Sequence, residues 1–159
     1  MTFPRPAGYT ETDFKKAKNG EAAMATSNEG RADTGGIVRE YFDLIMAGKY
    51  RDGLRFFAPD CVTHNPYVAG SVEKLTEAMI AAAGDMAGQA PNAAFKVSHV
   101  LVDGNLVAAH TELLNDPSDP GRGGLRQVHL FRFAGDKIVE YWDVTQQILP
   151  SLPNAAGAF

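Results

Sequence analysis

Two short turns in the second half of the sequence restrict the fold more than any other feature. Asp103-Gly104 and Gly135-Asp136 each separate two runs of apolar and β-branched residues, which is a strong signal of a β-hairpin. A loop rich in Gly, Pro and Asp connects the two hairpins. The sequence therefore predicts four consecutive antiparallel strands, over residues 95–102, 106–114, 124–133 and 137–147.

The residues before these strands have helical spacing. Apolar side chains recur on one helical face from Ile37 onward, and Gly48 is the predicted end of that helix. Two further helices are predicted over residues 50–57 and from Ser71 to Gly84 or Gly88, with a strand over residues 61–65 between them. Three helices followed by a strand meander predict an α+β fold of packed layers.

The length and composition predict one globular domain. The chain has 159 residues, of which 45% are hydrophobic and 21% charged, and this suits a single core. Residues 1–35 are predicted to be an N-terminal extension, either an arm or a disordered segment, with a possible short helix over residues 12–25. The domain is predicted to span residues 36–150, and residues 151–159 form a tail.

Charge and motif patterns argue against several classes of function. The net charge is -4 and no basic stripe is visible, so we expect no nucleic-acid partner. No apolar stretch approaches the roughly 18 residues that span a bilayer, and the first residues lack the order of a secretory signal. We therefore expect a cytoplasmic protein with no membrane partner. The single cysteine, Cys61, allows no internal disulfide, and without CxxC or HExxH spacing we expect no metal site.

Asp143 is the residue that most strongly suggests a functional pocket. It lies in the predicted strand segment Glu-Tyr-Trp-Asp-Val-Thr, whose other residues except Glu140 are apolar, aromatic or β-branched. Burial of a carboxylate without a partner costs several kcal/mol, so this position predicts a hydrogen-bonded role. Burial would raise its pKa and a charged histidine nearby would lower it, so a buried Asp143 beside a histidine can act as a base.

The last turn sets the register of the second hairpin. A two-residue turn places His129 opposite Trp142 and Asp143 opposite Val128, so that His129 and Asp143 would occupy opposite faces of the sheet. A β-bulge between them would bring both to one face, and strongly curved sheets commonly contain such bulges. We therefore predict a bulge in this hairpin.

Three segments carry a family resemblance. They are Thr-His-Asn-Pro at residues 63–66 followed by Gly70, Val-Ala-Ala-His at residues 107–110, and the whole hairpin from His129 to Gln146. Together they resemble the SnoaL-like polyketide cyclase family, which belongs to the nuclear-transport-factor-2-like superfamily, over residues 37 to about 150. The resemblance implies a cone-shaped α+β barrel in which three N-terminal helices pack on a curved antiparallel sheet.

The resemblance also implies a reaction. Polyketide cyclases of this type close a ring by intramolecular aldol condensation without a metal or cofactor, and an aspartate removes a proton alpha to a carbonyl. By matching, Asp143 is the catalytic base, His129 or His110 the donor to the developing oxyanion, and Gln127 the residue that orients the substrate. The expected partner is a small apolar molecule with a carbonyl group. The other expected wall residues of the pocket are His64, Asn65, His110, Phe57, Phe131 and Trp142.

Two other functions remain open at this point. One is a non-catalytic protein of the same fold that binds a small ligand or serves as an accessory subunit. The other is an epoxide-hydrolase-like enzyme, which would need a second acid and an arginine around a water; Arg126 and Arg132 are available, but no second inward carboxylate is evident. His99 is interpreted as an ordinary structural histidine. The family resemblance and the alternating apolar residues Val128 and Leu130 predict a homodimer.

Overall fold

The computed structural model describes residues 33–159. The predicted helix over residues 12–25 and the rest of the extension before residue 33 lie outside the described residues. No helix in the described part of the chain is long and apolar enough to cross a membrane.

Three helical segments come first in this part of the chain. They are α1 (Thr34–Met46), a 3₁₀ helix (Tyr50–Phe56) and α2 (Val72–Gln89). Asp33 caps α1, since its carboxylate accepts a hydrogen bond from the Gly36 amide at 2.9 Å, and Gly48 follows the helix with φ 73°. Because α1 begins at residue 34, the predicted domain boundary after residue 35 falls inside this helix.

The third helix is longer than predicted. It passes through Gly84 and Gly88 and ends only at Gln89. A glycine inside a helix costs about 1 kcal/mol relative to alanine, which is too little to end a helix whose neighbouring residues are mostly good helix formers. Ser71 occupies the N-cap position as expected, but its side chain makes no capping hydrogen bond.

Five strands form one sheet in the order β1-β5-β4-β3-β2. The antiparallel meander of β2 to β5 is confirmed, whereas β1 pairs in parallel with β5, so the sheet is mixed and not antiparallel throughout. The helical connection through α2 returns the chain to the sheet and permits this parallel neighbour. The sheet keeps two edges and does not close into a barrel. The strands are β1 (Phe57–His64), β2 (Ala94–Asp103), β3 (Leu106–Leu114), β4 (Gly124–Ala134) and β5 (Lys137–Ile148).

The helices cover one face of the sheet, which we call the inner face. The buried residues of α1, Val38, Tyr41 and Phe42, pack with inner-face side chains such as Phe131 and Ile138. Side chains alternate between the two faces along each strand. We call the opposite side the outer face; its residues include Val62, His64, Leu101, His110, Val128, Leu130, Trp142 and Val144. The α+β class expected from the sequence is confirmed.

One extra residue in β5 decides which side chains share the inner face. Next to the turn, Phe133 pairs with Ile138, as counted from the sequence. Val139 then has no partner in the ladder, and beyond it His129 lies opposite Asp143. The predicted bulge is therefore present, and it brings His129 and Asp143 to the same face.

Candidate functional site

A cavity of about 270 Å³ lies between α1, α2 and the inner face of the sheet. Most of its walls are apolar, with a few convergent polar groups from the sheet and from the loop after β1, which is the usual composition of a small-molecule site. The lining residues are Tyr41, Phe42, Ile45, Asn65, Tyr67, Val68, Leu75, Ala78, Met79, Ala82, Phe95, Leu125, Gln127, His129, Tyr141, Asp143 and Thr145.

A larger groove of about 830 Å³ lies between the end of α2, the loop before β4 and the residues after β5. Its charged residues are Asp85, Asp119 and Arg122. We place the candidate site in the smaller cavity because buried titratable groups with displaced pKa values converge there, and such groups cluster at functional sites.

Asp143 is half-buried in the wall of the cavity and is held by an amide. The Asn65 Nδ2 group donates to both carboxylate oxygens, at 2.9 and 3.0 Å. Burial raises the pKa of Asp143 above its ordinary value, while the hydrogen bond from Asn65 acts in the opposite direction. A carboxylate with a raised pKa in an apolar cavity is suited to accept a proton from carbon.

His129 is buried beside Asp143 and both of its ring nitrogens are engaged. Its Nδ1 lies 2.7 Å from the Tyr141 hydroxyl and its Nε2 lies 3.0 Å from Thr111 Oγ1. Burial lowers the pKa of His129 to about 4, so the ring is neutral at neutral pH. The site therefore holds a neutral His129 beside Asp143, and not the charged histidine considered from the sequence.

Two tyrosines of the site were missed in the sequence. Tyr41 and Tyr141 both line the cavity, and burial raises the pKa of each phenol, with the negative charge of Asp143 adding to the effect. Both phenols are therefore protonated hydrogen-bond donors. Tyr141 could have been found, because it lies two residues before Asp143 in the same strand, whereas Tyr41 belonged to an apolar helical face typical of a core.

Four predicted site residues meet in the cavity. Asp143, His129, Gln127 and Asn65 all line it. The Gln127 side chain donates from Nε2 to Thr145 Oγ1 at 3.1 Å, which holds its amide against β5, two residues along the strand from Asp143.

Three predicted wall residues lie on the outer face instead. His64 bonds through Nε2 to Glu140 Oε1 at 3.0 Å, and its ring stacks on Trp142 with 4.8 Å between ring centroids. His110 lies beside His99, also outside. Strand alternation explains two positions, since Trp142 precedes the inward Asp143 and His110 precedes the inward Thr111. His64 pairs with Trp142 in the parallel β1–β5 ladder and therefore shares its outer face.

Two predicted aromatic wall residues lie in the core. Phe57 and Phe131 both pack edge-to-face on Tyr41, with ring centroids 5.5 and 5.9 Å away. Phe131 is fully buried and neither residue reaches the cavity lining. They support the lining residue Tyr41 from the core, and Phe42 and Phe95 are the phenylalanines that line the cavity.

The described part of the chain contains neither a reactive thiolate nor a group of three or more potential metal ligands. Burial raises the pKa of the Cys61 thiol to about 11, helped by nearby acidic residues, so the thiol stays protonated. Within residues 33–159, no group of three or more His, Cys, Asp or Glu is arranged to hold a metal ion.

Comparison with known families identifies the domain. Residues 38–141 match the family model of the SnoaL-like domain. The chain belongs to this family. A search of curated proteins gave no match.

Several solved structures share this SnoaL-like fold. AclR from Streptomyces galilaeus, named as a candidate hydroxylase, is 17% identical, and the match covers 80% of this chain and 98% of AclR with a TM-score of 0.57. Wild-type IdmH from Streptomyces antibioticus, named as a candidate polyketide cyclase, is 20% identical over 72% of this chain and 92% of IdmH, with a TM-score of 0.51. An NTF2-like protein from Cytophaga hutchinsonii is 11% identical over 74% of this chain and 94% of its own, with a TM-score of 0.53. At these identities the likeness establishes the fold alone.

Proposed function

We propose that this SnoaL-like protein is a cofactor-independent lyase or isomerase that removes a proton alpha to a carbonyl in a small apolar, polyketide-like molecule. The observation that carries the proposal is Asp143, a carboxylate with a raised pKa in an apolar cavity, oriented by the Asn65 amide. The names of similar structures such as IdmH agree with this class of substrate.

The proposed reaction needs only proton transfer and carbon–carbon bond formation. Asp143 takes the proton, and the electron pair of the C–H bond forms an enolate. In ring closure, the enolate carbon attacks a second carbonyl of the same molecule, and the resulting alkoxide takes the proton back from Asp143. Because the substrate neither loses nor gains electrons, the reaction requires no redox cofactor.

The enolate oxygen needs a hydrogen-bond donor, and we assign this role to the Tyr141 phenol in place of His129. If neutral His129 carries its proton on Nδ1, it donates to the Tyr141 oxygen, and the Thr111 hydroxyl donates to Nε2. The Tyr141 O–H is then free to point into the cavity. Tyr41 offers a second phenol from the α1 side of the cavity, so two preorganised donors can stabilise the developing negative charge.

The residues around Asp143 favour proton abstraction over epoxide hydrolysis. Asp143 is the single carboxylate among the described lining residues, and these include no arginine. Arg126 bonds to Glu112 at 3.0 Å and Arg132 to Glu140 at 2.9 Å, both on the outer face. The second acid and the arginine that epoxide hydrolysis would need are therefore on the other side of the sheet.

An exchange experiment tests the proposed base. A small apolar ketone such as 2-tetralone is incubated with the protein in D₂O, and loss of its alpha-proton signal is followed by NMR. Asp143→Asn keeps the shape of the side chain but removes the base, so exchange should slow by at least about 100-fold. Asp136→Asn, in the exposed turn before β5, is the matched control and should leave the rate unchanged.

Binding separates the catalytic function from the non-catalytic one. The affinity of the ketone for wild type and Asp143→Asn is measured by calorimetry alongside the exchange rate. Tight binding by both proteins with no exchange above the buffer rate would show a ligand-binding protein and reject the proposed enzyme.

A further inference from the structure

The outer face carries a pair of histidines that the cavity does not use. His99 on β2 and His110 on β3 are cross-strand neighbours whose Nδ1 atoms lie 3.2 Å apart, with the two rings within 13° of parallel. The β2–β3 ladder shifts register between Val97 and His99, and this bulge sets His99 opposite His110. The two nitrogens therefore lie close enough to each other to share one ion on the outer face.

We propose that His99 and His110 chelate one divalent late first-row transition ion, of the class of Ni²⁺, Cu²⁺ or Zn²⁺. Neutral imidazole nitrogen is a preferred ligand for these ions. With metal–nitrogen distances of about 2.0–2.1 Å, nitrogens 3.2 Å apart subtend an angle of about 100° at the ion. This angle lies between the roughly 90° of octahedral or square-planar sites and the roughly 109° of tetrahedral sites.

The surroundings leave the pair free to bind. The nearest acidic side chain along β3, Glu112, is occupied by Ser98 and Arg126 at 2.9 and 3.0 Å and therefore does not tie up either ring. His99 is exposed and His110 partly exposed, so an ion and its water ligands can reach them. Since no third protein ligand stands nearby in the described residues, water completes the coordination.

The other two histidines have different environments and serve as internal references. His64 is single, and its Nε2 already bonds to Glu140. His129 is buried with both ring nitrogens engaged.

Chelation also requires a change of tautomer in the His99–His110 pair. Without an ion, the Nδ1–H of one ring donates to the Nδ1 of the other ring. For both Nδ1 atoms to bind an ion, this proton must move to the Nε2 of its own ring, which releases no net proton.

The test is a titration of the full chain with NiCl₂ or ZnCl₂ in a non-coordinating buffer at neutral pH. With Zn²⁺, two-dimensional NMR of the imidazole C–H groups should show saturable changes for His99 and His110 and none for His64 and His129. This arm uses the wild-type protein, so it is decisive even if a variant fails to fold.

Variants give the second arm. By calorimetry, His99→Asn and His110→Asn should each weaken ion binding by at least about tenfold, because a second ligand on the same scaffold acts at high effective concentration. His64→Asn is the matched control and should bind as wild type does. Equal weakening by His64→Asn, signal changes centred on another histidine, or no saturation at millimolar ion would each overturn the proposal.

Discussion

Asp143 and His129 face each other across β4 and β5 with pKa values displaced in opposite directions by the same cause. Burial raises the pKa of the acid and lowers that of the imidazole, so the cavity disfavours charge on both side chains. Asn65 counteracts this effect at Asp143 alone, because its amide donates to both carboxylate oxygens. The site therefore holds a base and a neutral imidazole, and not an ion pair.

The lowered pKa of His129 predicts acid sensitivity of the fold. An unfolded histidine titrates near 6.5 and buried His129 at about 4, so stability is complete above pH 6.5 and is lost as pH falls through 4. The loss amounts to about 3 kcal/mol when protonation is complete. Urea unfolding at pH 7 and pH 4 measures it, and His129→Gln should flatten this difference.

The exposed His64 provides the control for this measurement. His64→Gln should lose only the small part of the pH dependence that comes from its exposed ion pair with Glu140, because the side chain lies on the outer face. An equal loss of stability on acidification in His129→Gln and wild type would show that His129 is not its source.

The loop between β1 and α2 is the element that brings Asn65 over the cavity. Asn65 Oδ1 accepts the backbone N–H groups of Tyr67 and Val68 at 2.8 and 2.9 Å, while Thr63 Oγ1 donates to the Gly70 carbonyl at 2.7 Å. The side-chain amide of Asn65 thus orders the loop through its oxygen and the Asp143 carboxylate through its nitrogen. The two effects can be separated by mutation.

Two substitutions of Asn65 should give different results. Asn65→Asp keeps the acceptor for the loop but places a second carboxylate beside Asp143, so the pKa of Asp143 and the pH of half-maximal ketone exchange should rise. Asn65→Ala loses both groups, so the amides of Tyr67 and Val68 should also exchange faster with solvent. Identical pH profiles for Asn65→Asp and wild type would contradict the positioning role.

Local signals in the sequence were enough to predict most of the elements. The turn at residues 135–136 is confirmed, whereas the first turn lies at Gly104-Asn105, one residue later than predicted. The four strands around the two turns are placed to within one or two residues. The parallel pairing of β1 with β5 could not be predicted, because it joins segments separated by α2 and most of the sheet. Helix α2 was predicted too short, because the helix propensity of the neighbouring residues and the tertiary contacts of the helix outweigh the unfavourable propensity of Gly84 and Gly88.

The candidate site was predictable where a face could be assigned. The bulge at Val139 was required by the register of the hairpin together with the family resemblance, and it places Asp143 and His129 correctly. His64 and His110 lie in strands whose inward face follows only from tertiary packing, so their composition alone could not show that they point outward.

The outer face of the domain exposes several large apolar side chains to water. Leu101, Val128 and Val144 on three different strands are 69%, 43% and 66% exposed. We propose that a second copy of the chain covers this face to form a homodimer, as a contiguous apolar surface on a sheet suggests. His110 pairs with Val128, so such a dimer would cover the His99–His110 pair, and the metal titration should be made at a concentration at which the protein is monomeric.

A charge at the centre of this face should separate the subunits. Val128→Asp should shift the protein from dimer to monomer in sedimentation experiments, because a standard interface buries about 800 Å² per partner and tolerates an unpaired central charge poorly. Ala81→Asp, on the exposed side of α2, is the matched control and should remain dimeric. A wild-type protein that stays monomeric at high concentration would reject the dimer.

Between the last turn and Asp143, β5 has one residue more than a regular ladder would have, and that residue is Val139. Neighbouring residues of a strand point to opposite sides of the sheet. Whether the number of residues in this stretch is odd or even therefore decides which side chains of the Tyr-Trp-Asp motif face the cavity. Removing one residue there would bring Trp142 inward and expose Asp143. In related sequences with the same motif, the number of residues between turn and aspartate is therefore as informative as the motif, and an alignment that misplaces a single gap would assign the base to the wrong side of the sheet.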